Sequence, residues 1–294
     1  MNFFARLVLA FLWTLRLLPL ALQAAIGRTL GRLLWLLAGS RRRVALRNLE
    51  LTMPEKPLAE RVAIARENFQ WIARSILERG LLWYASPERL KRLIHVEGDV
   101  HFADRDGGPV MWLVPHFVGL DVAGSSTQLF QSRLVGSIYQ KQSIPAFDHA
   151  IRRGRVRFGQ GDIFSRHEKA LPLIRAIRNR GFAFFNLPDM DFGPQEAAFV
   201  PFFGVPAATL MAPSKMARAL KMKVQPVVAE ILPGGQGYRV RFLAPWTDFP
   251  TDDAVADAAR MNAWIASEVR KNPAQYYWVH KRFKTRPPGE ASLY

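Results

Sequence analysis

The chain has 294 residues, no cysteine and a formal net charge of +17. That length suits one large domain or two small ones, and the absence of thiols excludes a disulfide framework, a thiolate nucleophile and a thiolate metal ligand. The charge calls for an acidic partner, whether nucleic acid, an anionic membrane, a phosphorylated substrate or an acidic protein, and the 8 Trp and 20 Phe suit a membrane interface better than a solvated nucleic-acid-binding surface.

Residues 3–38 are strongly apolar, in runs Phe3–Trp13, Leu15–Ile26 and Leu30–Leu37. Arg6, Arg16, Arg28 and Arg32 interrupt them, and Pro19 is placed to kink a helix. No uninterrupted run reaches the roughly 20 residues of a clean span. The recurring arginines and the lack of a small-residue cleavage site match a signal peptide poorly. The pattern predicts a helix lying in the membrane interface, or a tilted anchor with snorkelling arginines. An amphipathic helix of a soluble core is the alternative. Arg41, Arg42, Arg43 and Arg47 follow as a basic cluster, which an anionic cytoplasmic leaflet attracts by about 1 kcal/mol per charge, or which simply faces solvent. Residues 1–40 therefore read as a membrane anchor or interfacial helix, and 41–294 as the remaining domain.

From Leu58 to Trp83 the apolar period is helical, with Val62, Ala65, Phe69, Ile72, Ile76 and Leu77 on one stripe. Glu60, Arg61, Arg66, Glu67 and Arg74 fall largely off it. Ser86 is the expected N-cap of a short helix that starts at Pro87. Residues 41–105 read as a helical layer. Beyond it, in 106–294, strands alternate with helices. Strands are expected at 110–114, 134–139, 181–187, 224–231 and 238–243, the last two paired across Pro233–Gly237. Helices are expected at 120–130, 146–157, 166–179, 208–220 and 252–271, with a Pro-, Gly- and Phe-rich loop at 192–206. The fold class is α/β: a helical N-terminal, membrane-associated layer, then a mixed, substantially parallel sheet flanked by helices.

The stretch Val110–Val114 is a buried strand that Pro115 stops, so His116 falls at its carboxyl end. Ligands bind at that edge of open α/β sheets. Asp121 follows five residues later. On one continuous helix the two side chains would stand about 140° apart. With His116 in the loop and Asp121 in the first turn of the next helix they can meet, and a histidine held by a carboxylate is a general base of fixed tautomer. A loop histidine beside a helix-capping aspartate would use the same residues. Asp189 ends the strand Gly181–Leu187 much as His116 ends its own, so two strand ends can converge on one site. Asp189 and Asp191 form an Asx-type turn, or join His116 and Asp121 in a metal-dependent hydrolase site. Arg152, Arg153, Arg155 and Arg157 make a dense basic run; a guanidinium can clamp a phosphate or steady an oxyanion, though most of such a run is a solvated face. There is no P-loop, no Gly-rich dinucleotide turn and no zinc-spaced histidine pair.

Taken together, His116-x4-Asp121, Gly154-Arg155-Val-Arg157, Leu187-Pro-Asp189-Met-Asp191-Phe-Gly193, Phe199–Thr209 and Gln275–Pro287 resemble one family over nearly the whole chain. It is that of the late acyltransferases of lipid A biosynthesis, lauroyl and myristoyl transferases related to the glycerol-phosphate and lysophospholipid acyltransferases. The acid of the first motif is often glutamate in that family, and Asp121 is shorter by one methylene. The resemblance implies an enzyme on the cytoplasmic face of the bacterial inner membrane. It would move a fatty acyl chain from acyl carrier protein, or coenzyme A, to a hydroxyl of a phosphorylated glycolipid, a lipid A precursor. It also implies His116 and Asp121 as the catalytic pair, Arg155 and Asp189 as substrate-binding, and no metal, cofactor, acyl-enzyme or nucleic-acid partner. Acylation of a lysophospholipid or aminolipid, a metal-dependent hydrolase and a non-catalytic basic membrane-binding protein are the competing readings.

Overall fold

A computed structural model describes residues 2–159, 161–166 and 170–294. The apolar N-terminus forms α1 (Asn2–Leu15) and α2 (Leu20–Leu37), broken at Pro19 as its fixed φ and missing N–H require. The basic cluster lies on α3 (Gly39–Thr52), followed by α4 (Leu58–Tyr84) and α5 (Pro87–Leu93). Ser86 caps α5 by accepting from the Arg89 N–H at 3.2 Å. One strand falls inside the stretch read as helical, β1 (Ile94–Gly98). It is only five residues long and alternates weakly, so its strand character comes from pairing at the sheet edge.

The remaining elements are α6 (Phe102–Asp106), β2 (Val110–Leu113), α7 (Leu120–Leu129), β3 (Val135–Tyr139), α8 (Pro145–Arg155), β4 (Asp162–Ser165) and α9 (Leu171–Arg180). Then come β5 (Ala183–Asn186), β6 (Ala197–Phe202), β7 (Val205–Leu210), α10 (Ala212–Ala219), β8 (Lys223–Ile231), β9 (Tyr238–Phe242) and α11 (Ala254–Lys271). The main sheet has the order β1-β9-β8-β2-β5-β3-β4. Every neighbouring pair in it is parallel except β8 with β9. The fold is thus α/β with a helical N-terminal region, and the helix–strand alternation explains why the sheet is mostly parallel.

Three stretches differ from the sequence expectation. The expected loop at 192–206 and the first residues of the expected helix at 208–220 instead form the antiparallel hairpin β6–β7, turning at Phe203 and Gly204, both with positive φ. The expected helix at 166–179 begins later, after β4, and its residues 167–169 lie outside the described residues. Arg74 is buried, 1% exposed, and so is its α4 partner Glu78. They pair at 2.8 Å because α2 covers that side of α4, with Gly27 set directly against Arg74. A Cβ on Gly31 would lie 2.2 Å from the Gln70 backbone, so this close helix crossing demands glycine.

β2 sits near the centre of the sheet and is buried on both faces. Val110, Trp112 and Val114 join the core beneath α4 and α7; Met111 and Leu113 join the opposite core beneath α9 and α10. Continuous rather than alternating hydrophobicity is what a doubly covered parallel strand needs. It also fixes β2 rigidly, and its carboxyl end carries the candidate site.

Candidate active site

β2 and β5 are adjacent and parallel, with Leu113 opposite Asn186. The pairing extends one residue further, where the Val114 N–H donates to the Asn186 carbonyl at 2.9 Å. Continuing this register sets Pro115 beside Pro188 and His116 beside Asp189. Each proline ends its strand at the same level, so the His116 and Asp189 side chains emerge together at the carboxyl edge. The His116 imidazole meets Asp189 through Nδ1 and Oδ1 at 2.6 Å, and the His116 backbone N–H donates to Oδ2 at 2.9 Å. The expectation that these two strand ends share a site agrees with this geometry.

Asp121 is engaged elsewhere. It lies in the first turn of α7, as expected, but its carboxylate accepts from Arg79 Nε at 2.8 Å and Arg155 Nε at 2.9 Å. Among the described residues no hydrogen bond or ion pair joins it to His116. The structure therefore puts Asp189, not Asp121, on the imidazole. The cause is topological: Asp189 arrives on the neighbouring strand in register, whereas the first turn of α7 directs Asp121 toward α4 and α8. Arg79 was not among the residues singled out in the sequence, and only the packing of α4 across α7 and α8 brings it here.

The groups' acidities follow from these partners. Burial alone would raise the Asp189 carboxyl, but its bonds to His116 and Tyr276 hold it below its ordinary value. Burial also opposes ionisation of Asp121, and the charges of Arg155 and Arg79 override it, to a pKa of about 2. An ionised carboxylate only accepts, so Nδ1 of His116 is the donor of this bond, and in the neutral imidazole Nε2 is then the acceptor nitrogen.

The C-terminal segment closes the site from behind. The Tyr277 N–H donates to the His116 carbonyl at 3.0 Å, and the Tyr276 hydroxyl donates to Asp189 Oδ2 at 2.9 Å. Asp191 takes no part in the pair: it accepts from the Thr285 N–H and hydroxyl, both at 2.8 Å, in the loop after β5. Its own N–H donates to His280 Nε2 at 3.1 Å. Burial, reinforced by the charges of His116 and Arg282, brings the His280 pKa down to about 4. The four residues considered for a metal-dependent hydrolase are thus divided among three separate sets of partners. Among the described residues no three His, Asp or Glu side chains group as metal ligands. The aromatic and basic tail was noticed in the sequence, but its packing against the two strand ends was not legible there.

His116, Asp121, Arg79, Arg155 and Tyr277 line one cavity of about 570 Å³. Its other walls are mainly apolar, including Ile138, Phe184, Phe185, Leu210 and Met216. Charged and polar groups set into a largely apolar cleft suit a substrate with a reactive polar head and a hydrocarbon chain.

The comparisons agree with that character. Residues 2–285 match the family model of the bacterial lipid A biosynthesis acyltransferases. The chain is 32% identical to the lipid A biosynthesis lauroyltransferase of Escherichia coli K12, covering 96% of this chain and 92% of that protein. It is 30% identical to the palmitoleoyltransferase of the same organism (97% and 92% covered) and 32% identical to its myristoyltransferase (92% and 82% covered). A match that runs from α1 through the C-terminal segment takes in every element that builds the cavity, and this chain belongs to the bacterial lipid A biosynthesis acyltransferase family.

Proposed function

We propose that the protein transfers a fatty acyl chain from an acyl carrier protein thioester to a hydroxyl of a phosphorylated lipid A precursor, using His116 as general base. The observation that carries this reading is the 2.6 Å contact between His116 Nδ1 and the buried Asp189 carboxylate at the wall of an apolar cavity. That contact fixes the tautomer that leaves Nε2 able to accept a proton. In the reaction, Nε2 takes the proton of the acceptor hydroxyl as its oxygen forms a bond to the thioester carbonyl carbon. The tetrahedral oxyanion collapses, the C–S bond breaks, and the imidazolium returns its proton to the departing thiolate. The acceptor oxygen is itself the nucleophile, so no acyl-enzyme is required. The thioester is already activated, so no metal is required either.

In this scheme Arg155 and Arg79 supply positive charge at the cavity wall, for the oxyanion or for a phosphate of the acceptor. Among the described residues, two guanidinium groups on the single Asp121 carboxylate leave one charge uncompensated. Asp121 then aims the arginines, and Asp189 takes over the hold on the imidazole.

The reading also includes attachment to the cytoplasmic face of the inner membrane, where an amphiphilic acceptor is reached. The outer surfaces of α1 and α2 expose Phe3, Phe4, Leu7, Phe11, Leu36 and Leu37, with Leu37 81% exposed. A large apolar side chain removed from water contributes about 1.5–3 kcal/mol, which favours a lipid contact over solvent. α2 has the length and composition to cross a membrane. Its inner face, however, buries Gln23, Gly27 and Gly31 against the protein, which favours lying in the interface. The test is mass spectrometry of lipid A from cells with and without the protein. The reading predicts a lipid A species lacking one acyl chain when it is absent. Unchanged lipid A with altered phospholipids would contradict it and point to a lysophospholipid acceptor.

A further inference from the structure

We propose that Tyr276 is a positioning residue for the His116–Asp189 pair, its hydroxyl fixing the rotation of the carboxylate that holds the imidazole. The proposal rests on the reading of His116 as the base, and extends it to a residue that touches neither the imidazole nor the cavity.

The Asp189 side chain is 0% exposed. A carboxylate removed from water stays ionised only through its hydrogen-bond donors. Among the described residues Asp189 has three: His116 Nδ1 on Oδ1, and the His116 backbone N–H and the Tyr276 hydroxyl on Oδ2. Two of these come from the residue being positioned. Tyr276 is the remaining one, and it alone holds the carboxylate against a fixed point elsewhere in the fold.

That point is firmly built. The Tyr276 ring packs edge-on against Phe117 and Trp278, with centroids 5.8 and 4.9 Å away, and tilted against Phe202 at 6.0 Å. Its carbonyl accepts from Asn68 Nδ2 of α4 at 2.6 Å, and the same amide donates to the Ala274 carbonyl at 2.8 Å. The preceding residue, Gln275, brackets Ile231 at the end of β8 by accepting from its N–H at 2.8 Å and donating to its carbonyl at 2.7 Å. Phe117 forms a backbone bridge to Tyr276 directly beside His116. The phenol is therefore tied to α4, β8 and the histidine loop together. Burial and the Asp189 charge keep it protonated, pushing it well above the ordinary tyrosine range. It thus remains a donor at any working pH.

The hydroxyl supplies a charge-assisted bond that stops the carboxylate from turning about its Cβ–Cγ bond. Without it, Oδ2 keeps only the backbone donor and the carboxylate becomes more basic. The 2.6 Å bond at Oδ1 then loses its fixed geometry.

The experiment compares the full chain with its Tyr276→Phe, His116→Ala and doubly substituted forms. It measures acyl transfer across pH, thermal unfolding, and the downfield proton resonance of the His116 Nδ1–H bond in the free protein. Tyr276→Phe should lower kcat roughly tenfold, as expected for a lost charge-assisted hydrogen bond, with KM nearly unchanged. The acid limb of its pH profile should move to higher pH, and the Nδ1–H resonance should shift from its position in the parent protein. In the His116→Ala background Tyr276→Phe should cost nothing further, since the residues act as one unit. Wild-type kcat per folded molecule with an unmoved resonance would overturn the proposal, as would losses that multiply, even if Tyr276→Phe lowers the unfolding temperature. Full activity of His116→Ala would instead overturn the base assignment. The resonance in Tyr276→Phe would still decide whether Tyr276 positions the pair.

Discussion

Asp189 accepts three hydrogen bonds with no access to water, so its charge and its two acceptor oxygens both matter. In Asp189→Asn the amide must set a donor against either the Nδ1–H or the two donors on Oδ2. Acyl transfer should fall by roughly 10²–10⁴-fold, the worth of a positioned general base, and combining this change with His116→Ala should add little. Steady-state kinetics on the two single variants and the double variant would check this; retained activity in folded Asp189→Asn protein would contradict it. His280 offers a separate test through stability. Its pKa of about 4 in the folded protein lies below the ordinary value of 6.5, so protonation favours the unfolded chain. The neutral histidine contributes in full above pH 6.5, and that contribution drains away as pH falls toward 4. His280→Gln cannot titrate, so its unfolding temperature should fall less than that of the parent protein between those pH values. Parallel curves would show that His280 does not carry this pH dependence. Asp121 loses its stabilisation mainly at lower pH, between its ordinary value of 3.8 and about 2, so most of its slope lies below this range.

α1 and α2 have two faces of different character, an inner one packed on the protein and an outer one that exposes large apolar side chains. The inner face of α2 seals α4 and its buried Arg74–Glu78 pair, so removing it would uncover charges already taken from water. Membrane attachment is therefore better tested on the outer face. Replacing Phe4, Leu7 and Phe11 with serine should release much of the protein from membranes in a fractionation assay and leave its unfolding temperature largely unchanged. Unaltered fractionation would assign the attachment to another surface. The basic cluster on α3 is likewise divided. Arg41 bonds the Val279 carbonyl at 3.3 Å and Arg42 the Trp35 carbonyl at 3.0 Å, whereas Arg43 is exposed. Arg43→Gln is thus the variant that should weaken attachment by about 1 kcal/mol at low salt without disturbing the fold. What the sequence made legible at this scale follows from periodicity and punctuation: Pro19, Ser86-Pro87 and Pro115 each mark a boundary that the structure has. The β6–β7 hairpin was hidden because Pro201, Pro206 and the aromatic residues around Gly204 resemble loop chemistry until the two strands pair. Arg74 appeared solvent-facing because nothing in α4 itself indicates that α2 will cover it.

Across the whole molecule, the parallel sheet brings residues 73 positions apart onto one edge, as β2 and β5 show in pairing Leu113 with Asn186. The position of His116 at a strand end was legible from Val110–Pro115, and so was the equivalent position of Asp189. Which carboxylate meets the imidazole depends on strand order, and no local spacing encodes that order. The cavity, its apolar walls and the arginine–aspartate cluster then combine elements as distant in sequence as α4 and β7. The proposed reaction at this edge runs through His116. Its most direct test is the rate of acyl transfer from an acyl carrier protein thioester to a purified lipid A precursor, measured for the parent protein and for His116→Ala shown to unfold at a similar temperature. The substitution should lower the rate by roughly 10²–10⁴-fold. Undiminished transfer by folded His116→Ala protein would contradict it.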